Sequence, residues 1–175
     1  MSPHFDDVCF SLGGLTARRR AGILVTLCSL SAFAEQRGNL PTDPAQRTEF
    51  VSALRRDEDD RFAAHCGLTP VRLGLQEATL RGHSPFDTPR AQEVSPLFAR
   101  TIAAALEPPE GMAVRPWLFC PAGIGGHVDH VALRMAVLAN RAALARRYRI
   151  AFYEDLPYAW RLSRRLRGVA QLQAN

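Results

Sequence analysis

A chain of 175 residues can bury one sizeable core, and 47% hydrophobic with 22% charged content is that of a folded globular protein, which sets disorder aside. The longest apolar run, Ile23 to Cys28, is far too short for a membrane span, and the first residues lack the basic segment and apolar core of a secretory leader, so the cytoplasm is expected. All 22 basic residues are arginine, and the net charge of +5 is uneven: residues 1–133 hold 13 Arg against 15 acids, residues 134–175 hold 9 Arg against 2. That basic end has few interleaved aromatics, so it reads as a solvated face or an anion-attracting rim, and nucleic-acid binding is the weakest of the partner readings.

In chain order, the first feature is SPHFDD, in which His4 and Asp7 stand three apart, on one side of a tight turn or first helical turn, with Asp6 pointing elsewhere. A strand is predicted over Gly22 to Cys28, then a helix over Gln46 to Cys66 ended by Gly67, and a strand over Pro70 to Leu75. A helix over Arg90 to Leu106 is stopped by Pro108 and Pro109. The strand Trp117 to Pro121 runs into a glycine-bearing loop, Ala122 to Gly126, that delivers His127, Asp129 and His130. Val131, Met135, Leu138 and Ala142 then recur at steps of three or four, predicting one helix over Val128 to Tyr148 with Arg134, Arg141 and Arg146 mostly off its apolar face. A last strand is predicted over Ile150 to Tyr153.

This alternation predicts one α/β domain over residues 1–175, a Rossmann-like three-layer sandwich with a mostly parallel sheet. Ligands in such folds bind beyond the carboxyl ends of the strands. His4 should therefore follow a strand, yet only Met1, Ser2 and Pro3 precede it, so a first strand is expected to be missing through a misplaced start. An unpaired sheet edge there would favour a homo-oligomer.

Zinc in hydrolases takes three ligands from His and Asp or Glu and keeps one position for water. His127 and His130 repeat the i, i+3 spacing of His4 and Asp7, so two loops offer two ligand pairs. Taken singly, either pair has a plainer explanation, a surface histidine with Asp6, Asp7 or Asp129 as a helix cap. The four cysteines form no C-x-x-C pair and read as buried small hydrophobes. The run Asp57 to Asp60 reads as a solvated helix face.

SPHFDD followed over a hundred residues later by GGHVDH resembles the LmbE/PIG-L family of zinc-dependent N-acetylglucosaminyl deacetylases, whose motifs usually read P-H-P-D-D and H-x-D-H. The strand and serine-bearing loop VTLCSLS, the R-x-x-E helix at Arg55 to Glu58, and YEDLPYA at residues 153–159 extend the likeness along essentially the whole chain. Phe5 stands where the family has proline, and Val8 where many members carry Glu. The resemblance implies one Zn²⁺ per chain held by His4, Asp7 and His130, with Asp6 as general base and His127 as oxyanion stabiliser or general acid. Asp129, between the two histidines, orients His127 through its second nitrogen, caps the helix, or does both. The resemblance implies that Arg55 faces a small-molecule N-acetylated sugar, with a surface ion pair to Glu58 or Asp59 as the alternative, and that Tyr153 and Glu154 in YEDLPYA lie near its cleft. After the strand end, Glu154 and Asp155 either contact sugar hydroxyls or cap the loop. Family domains commonly continue past YEDLPYA, so a short C-terminus is also expected.

Three readings follow. The first is a zinc-dependent hydrolase removing acetyl from an N-acetylated amino sugar or sugar-bearing metabolite. The second keeps the metal and cleaves an amide of another sugar or thiol conjugate. The third is a truncated homologue that binds metal or sugar without catalysis. Specificity is expected from the loops at residues 32–45 and 76–90.

Overall fold

The structure, a computed structural model, describes residues 1–34, 40–107 and 114–173. It is of the α/β class with parallel strand pairing, and it divides into two compact units, Ser2–Ser84 and Met1 with Pro85–Asn175.

In the unit Ser2–Ser84, helix α1 (Asp7–Arg19) leads to strand β1 (Gly22–Thr26), helix α2 (Pro44–Cys66) and strand β2 (Leu68–Arg72). β1 and β2 pair in parallel from Gly22 against Leu68 to Thr26 against Arg72. Leu24, Val25, Leu27, Val51, Ala63 and Cys66 are buried. Helix α2 begins where Asp43 accepts a 2.8 Å bond from the Gln46 amide and Pro44 pre-sets φ. It ends at Gly67, whose φ of 64° and close approach to the Arg20 carbonyl, 2.6 Å from where a Cβ would sit, admit no side chain. Ser2 and Pro3 run alongside β1: the Ser2 amide bonds Val25 O at 2.7 Å, and the amides of Leu27 and Cys28 bond Ser2 O and Pro3 O at 3.0 and 2.9 Å. His4 thus does leave an extended, paired stretch.

In the other unit, strands β3 (Trp117–Pro121) and β4 (Arg149–Tyr153) pair in parallel, Trp117 against Arg149 through Pro121 against Tyr153. Helices α3 (Ala91–Ala105) and α4 (Val128–Ala139) pack together, burying Phe98, Ile102, Val128, Leu133 and Val137. Helices α5 (Arg141–Arg147), α6 (Leu156–Ala159) and α7 (Leu162–Gln173) complete it, with Val169 and Leu172 of α7 against Ala122, Ile124 and Ala159.

Four expectations are corrected. The second strand begins two residues earlier, straight after the Gly67 cap, and is over before Gly74, whose φ is 71°. The long helix from Val128 breaks at Asn140, whose side-chain amide donates to the Ala136 and Ala99 carbonyls at 3.1 and 3.4 Å and competes with the helical ladder. Cys9 is exposed, unlike Cys28, Cys66 and Cys120. Within the acidic run, Asp59 is buried against Arg72 at 2.9 Å, and Asp60 meets the same guanidinium at 2.6 Å. Pro108 and Pro109, and part of the 32–45 loop, lie outside the described residues.

Candidate functional site

In the unit Ser2–Ser84, the first motif is organised by its own backbone. The Ser2 hydroxyl donates to the His4 carbonyl at 2.5 Å and accepts from the Val8 amide at 3.2 Å, which bends the chain from its pairing with β1 into α1. Asp7 Oδ2 accepts from the His4 amide at 2.8 Å and lies 3.3 Å from His4 Nδ1, and both residues are buried. Asp6, the N-cap residue of α1, turns the other way with 48% of its side chain exposed. This is the division of Asp6 from Asp7 that the spacing predicts.

Arg55 is spent on Asp6, Nη2 to Oδ1 at 2.9 Å, rather than on Glu58 or Asp59 of its own helix. Its other nitrogen donates to Ser31 Oγ at 3.4 Å, and that hydroxyl donates to Glu77 Oε2 at 2.7 Å. Glu77 is buried, its second oxygen accepting from the Ala32 amide and the Thr79 hydroxyl at 2.9 and 2.8 Å. A lone acid in the apolar segment LGLQEATL is the signal by which Glu77 could have been singled out. Phe5, at the position of the family's proline, is buried with the guanidinium carbons of Arg55 and Arg72 6.0 and 5.9 Å from its ring centroid. The aromatic ring therefore helps to place the arginine that holds Asp6.

In the other unit, β3 delivers the second motif through a loop whose Gly125 has φ of 93° and on which a Cβ would run into Tyr158 Cβ. The loop is pinned from outside by Thr88 Oγ1, which donates to Gly126 O at 2.7 Å, and by Val128 N, which donates to Pro85 O at 2.8 Å. His127 is itself the N-cap of α4, its Nδ1 accepting from the Asp129 amide at 3.3 Å. His127 and Asp129 are thus joined ring to backbone. Asp129 is fully buried.

His130, one helical turn on, meets Asp155: Nδ1 to Oδ1 is 2.6 Å with both side chains buried. Asp155 was expected to contact sugar hydroxyls, and it is corrected to an interior group whose Oδ2 also accepts from the Ile124 amide at 2.9 Å. The two rings lie 5.0 Å apart between centroids with opposite hydrogen-bond states. An Nδ1 that accepts leaves the proton of neutral His127 on Nε2, a donor; an Nδ1 facing a carboxylate favours the proton there, and in the neutral His130 ring that leaves the Nε2 lone pair available.

Phe86 and Tyr158 stand edge-on to one another at 5.9 Å, Phe86 against His127 at 5.8 Å and Tyr158 against His130 at 5.5 Å. Arg134, placed by the periodicity mostly off the apolar face, is buried and donates to the Ala122 carbonyl at 3.0 Å. Burial lowers its pKa, against the pull of the Asp155 charge. Tyr153 is buried and its hydroxyl donates to Met1 O at 3.0 Å. Glu154 pairs with Arg165 through two bonds of 2.6 and 2.7 Å, which hold its carboxyl below the ordinary range.

The donors that the two motifs offer, buried imidazole and buried carboxylate, are of the kinds Zn²⁺ takes. Asp6, next in sequence to Asp7, is half exposed and held by Arg55. No helix among the described residues is long and apolar enough to cross a membrane.

No protein-family model matches the chain. It is 37% identical over 168 residues to 2'-N-acetylparomamine deacetylase of Streptomyces fradiae, covering 91% of this chain and 56% of that protein, so it spans little more than half the relative's length. Among solved structures it resembles a deacetylase of the teicoplanin biosynthesis pathway, with a TM-score of 0.60 and 22% identity over 90% of this chain and 66% of the other. An A40926 pseudoaglycone deacetylase matches at TM-score 0.58 and 24% identity, over 90% of this chain and 63% of the other. These likenesses establish a shared Rossmann-like α/β fold.

Proposed function

We propose that the chain is a zinc-dependent N-deacetylase of the LmbE/PIG-L type that releases acetate from an N-acetylated amino sugar or sugar-bearing small molecule. The observation that carries this reading is the opposite hydrogen-bond states of the two histidines in HVDH, one arranged to donate and one to ligate. Similarity to a 2'-N-acetylparomamine deacetylase supports the bond and the substrate class.

His4, Asp7 and His130 are the ligands in this reading, and bound there Zn²⁺ supplies a Lewis acid and a water acidified to a pKa of about 7. Asp6, fixed by Arg55 at 2.9 Å, takes the proton of the attacking water. His127 donates from Nε2 to the oxyanion that forms as the acetamide carbon becomes tetrahedral. The proton held by Asp6 then passes to the leaving amine, giving a free amino sugar and acetate. Arg55 holds Asp6 in this scheme, and Glu154 offers a rim carboxylate to the sugar.

Acetate release from a panel of N-acetylated aminoglycoside fragments tests this. Asp6→Asn is expected to lower kcat by roughly 10²- to 10⁴-fold while zinc content stays near one per chain. Loss of zinc from that variant would reassign Asp6 as a ligand, and a wild-type chain that takes up no zinc would overturn the reading.

A further inference from the structure

We propose that Asp155 is a positioning residue that fixes His130 as the Nδ1–H tautomer and so presents Nε2 as a metal donor; the metal half of this rests on the zinc reading above. Asp155 stands at the N-cap position of α6 yet its side chain makes no cap hydrogen bond, so capping does not explain its carboxylate. Both oxygens are instead turned inward, Oδ1 to His130 at 2.6 Å and Oδ2 to the Ile124 amide at 2.9 Å. A carboxylate held at both oxygens cannot rotate, and a ring held by a charged partner at Nδ1 keeps its orientation and its tautomer.

The surroundings reinforce this. The Asp155 carbonyl accepts from the Tyr158 and Ala159 amides at 2.8 and 2.9 Å, which fixes the residue's backbone. Ile124 is fully buried, and Gly168 of α7 comes so close that a Cβ there would lie 2.7 Å from Ile124 Cγ1. The buried Arg134 feels the Asp155 charge and bonds the Ala122 carbonyl of the same loop. Asp155 thereby ties the end of β4 to the histidine loop across 25 residues of sequence.

The tautomer is read without metal, from long-range ¹H–¹⁵N correlation spectra of ¹⁵N-histidine-labelled, zinc-free wild-type protein at neutral pH, with His130→Gln used for assignment. A protonated Nδ1 and a bare Nε2 at His130 are expected; the reverse or a mixture overturns the proposal. Zinc competition against a chromophoric chelator is the second readout, with Asp155→Asn expected to bind roughly 10- to 100-fold more weakly. Binding within twofold of wild type by a variant with wild-type circular dichroism overturns it too. If Asp155→Asn does not fold, the wild-type spectra decide alone. A wild type that binds zinc and releases no acetate would refute the deacetylase while leaving the role of Asp155 standing.

Discussion

Asp59 shows what a single buried charge does in this chain. Burial raises its carboxyl pKa above the ordinary 3.8, although the Arg72 guanidinium at 2.9 Å pulls the other way. The geometry shows a good bond, but the net shift is upward, so desolvation outweighs the partner. A raised value means that the folded chain binds this proton more tightly than the unfolded chain does. The stability contributed is fully present below pH 3.8 and is lost as pH rises through the folded value. Asp59→Asn, neutral at every pH, is therefore expected to be the more stable at neutral pH, where Arg72 keeps Asp60 at 2.6 Å, and to lose that lead as pH falls and Asp59 takes up its proton. Urea unfolding of both proteins from pH 3 to pH 7 measures that difference. The same residue shows the limit of sequence reading, because four adjacent acids look like a solvated face until β2 places Arg72 beside the third. The pairing of His4 with Asp7 was legible since each is the other's neighbour at i, i+3, whereas the ion pair of Asp6 with Arg55 and the contacts of Glu77 and Asp155 join residues far apart in sequence, the last two across 46 and 25 residues.

At the scale of the element, the loop between β3 and α4 takes its path to His127 because glycine leaves room for it. Gly125, at φ of 93°, leaves the space that Tyr158 fills, and Tyr158 in turn stands edge-on to His130 at 5.5 Å. Gly125→Ala must find room against the Tyr158 side chain and hold a backbone angle that L-residues rarely adopt, at a cost of about 1 to 3 kcal/mol. Thermal melting should show that loss, and in a double-mutant cycle Tyr158→Gly, which removes the Cβ that the new methyl would meet, should recover the steric part but not the backbone part. The bounds of β3 were readable from composition alone, being a five-residue apolar run between loops. The break between α4 and α5 was not, since the apolar spacing continues straight through Asn140 and only the bonds of its amide end the ladder. Elements with a hard stop, such as α2 at Gly67, were placed well; those ended by a competing side chain were not.

For the molecule as a whole, metal and stability are linked, because an ion that binds only the folded chain stabilises it by mass action. His130 is held ready by Asp155 with both side chains buried, so the proposed ligand is a feature of the fold and not of the unfolded chain. At free zinc of one hundred times its dissociation constant the gain is about 2.7 kcal/mol, enough to move the melting temperature by several degrees in a chain of 175 residues. Zinc titration should raise the melting temperature progressively, EDTA should return it to the metal-free value, and His4→Ala or His130→Ala should each abolish the response. Asp6→Asn should keep the response in full, since its carboxylate is assigned to the water and not to the ion. A shift that survived in His130→Ala would move the ion to other ligands, and the division between donor and ligand in HVDH would fall with it.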